Sequence, residues 1–162
     1  MSTEENKAIV RSFLEGIFTQ GNPDVVDELA GPNFVVHDPS SEAGDVDAEG
    51  VKGSIAWNHS AFPDLRVMIE DQVAEGSKVA TRWRVRGTYR GEMMGAVPTG
   101  TQVTFTGTQT DYISGGKIVE SWSNWDTLGM LQQIGGVPVP ERAADRGLTH
   151  QREGSLLRSR SL

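Results

Sequence analysis

The chain has 162 residues, 36% of them hydrophobic and 7% aromatic, which is enough for one core and too few for two. Its 22 acidic residues against 15 basic ones leave a formal net charge of -7, which repels nucleic acid backbones, so no nucleic acid partner is expected. The absence of cysteine excludes disulfides, thiolate nucleophiles and thiolate-based zinc sites, and leaves only His37, His59, His150 and carboxylates for any metal chemistry.

The start, Met1 to Lys7, is polar and acidic, and no apolar run reaches membrane length. The expectation is a cytoplasmic protein with no membrane partner. Apolar residues at Ala8, Ile9, Phe13, Leu14, Ile17 and Phe18 predict an amphipathic helix over residues 2–18, with Thr3 and Asn6 as a weak cap. Gln20-Gly21-Asn22-Pro23 stops it, Asn22 caps a short helix through Leu29, and Gly31-Pro32 ends that one. A strand follows over residues 33–38, then a polar loop over 39–49 and a third helix over 51–61.

From Pro63 the period changes to that of sheet, with strands over residues 65–73, 78–89, 101–113 and 117–125. Their succession predicts a meander. The turns at Glu75-Gly76-Ser77 and Ser114-Gly115-Gly116 are short, whereas residues 91–100, with Met93, Met94 and Pro98, form a longer flap able to cover a pocket mouth. Thr127 to Ile134 reads as a last helix, with Asp126 in place to cap it. Helices first and a twisted antiparallel sheet after them make an α+β domain whose helices fill the concave side. Residues 1–140 are assigned to this domain and 141–162, polar and rich in Arg and Ser, to a C-terminal extension.

In the second long strand Val79, Thr81, Trp83, Val85, Gly87 and Tyr89 share one face, and Arg82, Arg84, Arg86 and Arg90 the other. The apolar face points inward. In the third, Val103, Phe105, Gly107, Gln109, Asp111 and Ile113 alternate with threonines, so Gln109 joins the inward set. Strict alternation through the last strand puts Glu120, Trp122, Asn124 and Asp126 on one face, and the expectation is that Trp83, Gln109, Trp122, Asn124 and Asp126 converge. Such a set would line a pocket for a small organic molecule. The outer Arg- and Thr-rich face could be solvated or could meet a second subunit.

His37 and Asp38 are adjacent on a strand and point to opposite faces, which argues against a shared metal. His37 could serve the pocket as a proton carrier or simply end its strand. His59, near Trp57 and Phe62, is either pocket-lining or superficial. No nucleophile elbow, phosphate loop or dinucleotide fingerprint occurs, so what remains is cofactor-free acid–base chemistry by a carboxylate. Asp126 is read both as that carboxylate and as a helix cap.

Phe62-Pro63-Asp64-Leu65, Gly87-Thr88-Tyr89-Arg90-Gly91, Pro98-Thr99-Gly100, Phe105-Thr106-Gly107, Gly116-Lys117-Ile118-Val119-Glu120 and the run from Asn124 to Gly135 resemble the SnoaL-like polyketide cyclases, in order and spacing. The resemblance covers about Asn6 to Gly136 and implies a cone-shaped α+β barrel of the nuclear transport factor 2 superfamily. It further implies an intramolecular aldol ring closure with an aspartate near the end of the last strand as general acid/base, without metal or cofactor. The matching residue looks like Asp126. Family members often carry histidine where this chain has Gln109, which can bond an oxyanion but cannot carry a proton away.

Asp126, Gln109 and His37 are thus the expected catalytic residues. Trp83, Trp122, Asn124, Phe62, Tyr89, Met94, Phe105, His59 and Trp57 are expected to enclose a small hydrophobic carbonyl compound. The rival readings are a non-catalytic binding or assembly domain of the same fold and an epoxide hydrolase or isomerase. A homodimer through the outer sheet face is the expected assembly.

Overall fold

The computed structural model describes residues 1–139, so the Arg- and Ser-rich extension and His150 lie outside the described residues. Helix α1 (Thr3–Leu14) is capped by Ser2, one residue before the expected Thr3. Ser2 and Glu5 form a reciprocal capping box, in which the Ser2 hydroxyl accepts from the Glu5 N–H and the Glu5 carboxylate accepts from the Ser2 N–H at 2.6 Å. The predicted single helix changes geometry after Leu14, continuing as a π-helical segment (Glu15–Gln20) that ends at Gly21 in the left-handed region. Gly16 explains part of this: a Cβ there would stand 2.7 Å from Val25 of α2 (Asp24–Leu29), so the bare backbone lets the two helices close.

Strand β1 (Ala30–His37) pairs with the short β2 (Asp45–Asp47), which lies inside the expected loop. Asp47 caps α3 (Ala48–Ala61) by accepting from the Gly50 N–H at 2.8 Å, which moves the helix start ahead of the expected Val51. The meander follows as β3 (Arg66–Glu75), β4 (Lys78–Thr88), β5 (Gln102–Ser114) and β6 (Lys117–Trp125), and α4 (Thr127–Ile134) closes the described chain. The six strands form one curved sheet in the order β2-β1-β6-β5-β4-β3. It is antiparallel except where β1 lies parallel to β6.

The helices cover one side of this α+β cone. Val10, Phe13 and Leu14 of α1 and Val51 and Ile55 of α3 belong to one buried cluster with Val79, Trp83, Val85, Val103, Phe105 and Ile118 of the sheet. Arg82, Arg84 and Arg86 face out, as their alternation requires. The Asp64 carboxylate accepts from both the N–H and the hydroxyl of Thr88 at 2.7 Å, which ties the Phe62-Pro63-Asp64-Leu65 turn to β4 and holds that carboxyl below its ordinary pKa. Among the described residues no helix is long and apolar enough to cross a membrane.

The segment over 91–100 is tied down rather than free to cover a mouth. The Tyr89 hydroxyl, fully buried, donates to the Ala96 carbonyl and accepts from the Met93 N–H, while the Arg90 and Gly91 N–H groups both donate to the Ala61 carbonyl. Met93 enters the core, and Met94 turns outward at φ 51 with 53% of its surface exposed.

Candidate active site

The last strand does not keep the expected phase. In β5–β6 pairing, Tyr112 lies opposite Glu120 but Ile113 lies opposite Ile118, so Val119 is an extra residue, a β-bulge. One inserted residue reverses every side chain beyond it. Ile118 still points to the core, but past the bulge the inward residue is Ser121. Trp122 and Asn124 therefore stand on the outer face, with Trp122 51% exposed and Asn124 paired across from Thr108. The expected convergence of Trp122, Asn124 and Asp126 with Trp83 and Gln109 does not occur.

Asp126 is exposed and acts as the N-cap of α4, its carboxylate accepting from the Gly129 N–H at 2.8 Å. Its own N–H donates to the Thr106 carbonyl at 2.9 Å. It borders an open outer depression with Glu70, Arg82 and Arg84, in which Glu70 pairs with Arg82 at 2.6 Å and with Arg84 at 2.8 Å.

His37 also lies outside. Its Nδ1 is 2.7 Å from Asp45 and its Nε2 2.9 Å from Glu120, and its ring stacks on Trp122 at 4.0 Å. Two carboxylates, Asp45 foremost, favour the imidazolium and raise its pKa. With both nitrogens committed to carboxylates, His37 clasps β1, β2 and β6 together.

The other expected ligand contacts divide between core and surface. Phe62 and Tyr89 pack on each other in the core at 5.6 Å. His59 donates from Nε2 to the Ile17 carbonyl at 3.1 Å and braces the π-helical segment, while Trp57 is exposed on α3. Trp83 and Phe105 do share the helix-covered face with Gln109, and Trp125 packs on Phe105 at 5.3 Å.

That face holds a polar cluster centred on Asp111, a residue whose inward phase was visible in the sequence but whose chemistry was not drawn from it. Asp111 has no exposed surface. Its two oxygens accept from Gln109 Nε2 at 2.9 and 2.8 Å, and Oδ1 accepts from the Ser121 hydroxyl, which lies directly across from it in β6. Burial drives the carboxyl pKa up to about 6, against the lowering effect of the Ser121 and Gln109 hydrogen bonds. Gln109 thereby has its amide nitrogen committed to Asp111. Ser121 could not be found by alternation because the bulge precedes it.

The family model of the SnoaL-like polyketide cyclases matches residues 8–134. The chain belongs to that family. Among solved structures, IdmH of Streptomyces antibioticus, provisionally named a polyketide cyclase, is 31% identical with a TM-score of 0.72, over 80% of this chain and 98% of that one. A protein of Acidithiobacillus ferrooxidans, also provisionally named a polyketide cyclase, is 28% identical with a TM-score of 0.74, over 84% of this chain and 99% of that one. AclR of Streptomyces galilaeus, provisionally named a hydroxylase, shares the fold at 22% identity and a TM-score of 0.79, over 99% and 100% of the two chains. No curated protein matches. This SnoaL-like chain thus has the nuclear transport factor 2-like cone, with a buried acid on the covered face of its sheet.

Proposed function

We propose that this SnoaL-like protein is a cofactor-independent enzyme that moves a proton next to the carbonyl of a small hydrophobic compound, in an intramolecular aldol closure or a related isomerisation. The observation that carries this reading is Asp111: a carboxyl without exposed surface, raised to about 6, and bound to Gln109 and Ser121 on the aromatic face. Proton abstraction beside a carbonyl needs a base whose pKa is not far below neutrality. Asp126 is exposed, and its cap role accounts for its position.

Because Asp111 is enclosed, it acts through its partners. Ser121 is the hydroxyl through which a proton passes to the carboxylate, and Gln109, held by its nitrogen, turns its carbonyl oxygen to a substrate hydroxyl or enol. The full burial of Asp111 and the glutamine at position 109 favour a second reading, a domain that binds a small molecule without catalysis. We place the homodimer contact on the outer face, where Arg82, Arg84 and Arg86 stand on one half and Glu120 and Asp45 on the other.

Deuterium uptake from D2O into the α-position of 1-tetralone, followed by proton NMR, tests the chemistry without knowledge of the natural substrate. The protein should accelerate exchange, Asp111→Asn should remove about 10²–10⁴ of that acceleration, and Asp126→Asn should keep it. Loss in the Asp126 variant alone would return the role to Asp126, and no acceleration by the wild-type chain would favour the binding domain.

A further inference from the structure

The donor that this chemistry leaves unused belongs to Trp83. Its side chain is 2% exposed, and its Nε1–H has no acceptor among the described residues. An indole nitrogen only donates, so its complement is an oxygen acceptor. A buried donor without one leaves its desolvation uncompensated, which is rare in folded proteins and calls for an explanation.

The surroundings of the ring are unequal. Beneath it lies Gly107, its cross-strand partner, where a Cβ would come within 2.3 Å of the indole; only glycine lets the ring lie flat on β5. Phe105 meets it edge-on at 6.4 Å. Gln109 is the next inward position along β5. This floor is built of paired strands.

The cover is of another kind. Phe18 lies over Trp83 at 5.4 Å and 38°, is only partly buried, and comes from the π-helical segment Glu15–Gln20. Such segments are rare and concentrate at functional sites. One aromatic side chain on an irregular turn thus lies over the ring that carries the unpaired donor.

We infer that Trp83 is the specificity-determining donor of the covered face: it binds the carbonyl oxygen of an aryl ketone whose ring takes the place of Phe18. The inference rests on the proposed site on the covered face and adds the ligand's class and its anchor. The indole N–H selects a neutral oxygen acceptor, and the rings of Trp83 and Phe105 select an aromatic body. Charged ligands are disfavoured there because the site is apolar and Asp111 already uses the nearby donors.

The test is a titration of the full chain with 1-tetralone and with tetralin, which lacks the carbonyl, followed by the indole and side-chain amide N–H signals in nitrogen-15 NMR. Tetralone should move the Trp83 indole signal downfield and bind about tenfold more tightly than tetralin. Trp83→Phe should level the two probes, and Phe18→Ala should strengthen both. If tetralone moves the Gln109 amide but leaves the Trp83 indole in place, or if Trp83→Phe keeps the preference, the anchor is wrong while the site stands. If millimolar tetralone moves neither signal, or moves only Trp122 on the outer face, the site falls with the anchor. The wild-type shift decides the matter even where Trp83→Phe does not fold.

Discussion

At the scale of single residues the covered face is set by Asp111, and its linkage to pH has a definite sign. The folded chain holds this proton up to about 6, whereas the unfolded chain releases it near the ordinary 3.8. Stability therefore falls as pH rises through that window, and the ionised, enclosed carboxylate costs roughly 3 kcal/mol above it. Asp111→Asn keeps hydrogen-bonding capacity without charge, so thermal melting of this variant should lose less between pH 4 and pH 7 than wild type; an equal loss would contradict the assignment. His37 adds a second decline. Its pKa is raised by Asp45 and Glu120, so its stabilisation is complete below 6.5 and disappears as pH passes through the folded value above that. His37→Gln should flatten the melting curve above pH 6.5 and leave the lower window unchanged.

At the scale of elements, two irregularities determine which side chains meet. The bulge at Val119 turns Ser121 inward and Trp122 outward, and the extra residue Glu70 in β3 sits between the Ile69–Trp83 and Asp71–Arg82 pairs. Glu70 is then placed against both Arg82 and Arg84. The end of β6 passes into α4 through the Asp126 cap. Asp126→Ala should lower stability by about 1 kcal/mol in denaturant unfolding, and Asp126→Asn should be nearly neutral, since asparagine caps as well as aspartate. A large loss of stability in the asparagine variant would show that the carboxylate does more than cap.

For the whole molecule, the outer face is divided by charge. The β3–β4 half carries Arg66, Arg82, Arg84 and Arg86 against Glu70, Asp71 and Glu75, and the β6–β1–β2 half carries Glu120 and Asp45 around His37, with the threonines of β5 between them. A two-fold axis near β5 would lay the basic half of one copy over the acidic half of the other, with exposed Met68 and Trp122 as apolar anchors. Sedimentation at micromolar concentration should show a dimer, and Arg84→Glu with Arg86→Glu should shift it to monomer. A wild-type monomer would remove this assembly.

The α+β class, the four-strand meander, the outward arginines of β4 and the inward set Trp83, Phe105 and Gln109 were legible in the sequence. Each depends on local periodicity: alternation over β4 and β5 is unbroken across both strands, so burial by a single covering layer follows from it. The family was legible for a related reason, since turns and close packings demand particular residues, such as Asp64 on Thr88 or Gly107 under Trp83. The site was not legible in the same way. Whether Trp122 or Ser121 faces the core depends on one extra residue at Val119, and an inserted residue leaves no mark in the pattern of a short strand. Likewise the raised pKa of Asp111 and the N–H of Trp83, unpaired among the described residues, arise from what surrounds them on other strands and on the π-helical segment. Periodicity determined the four long strands and the buried face of β4 and β5; only the tertiary structure decided the pairing of β2, the phase of β6 and the solvation of its neighbours, because these depend on contacts beyond the local pattern.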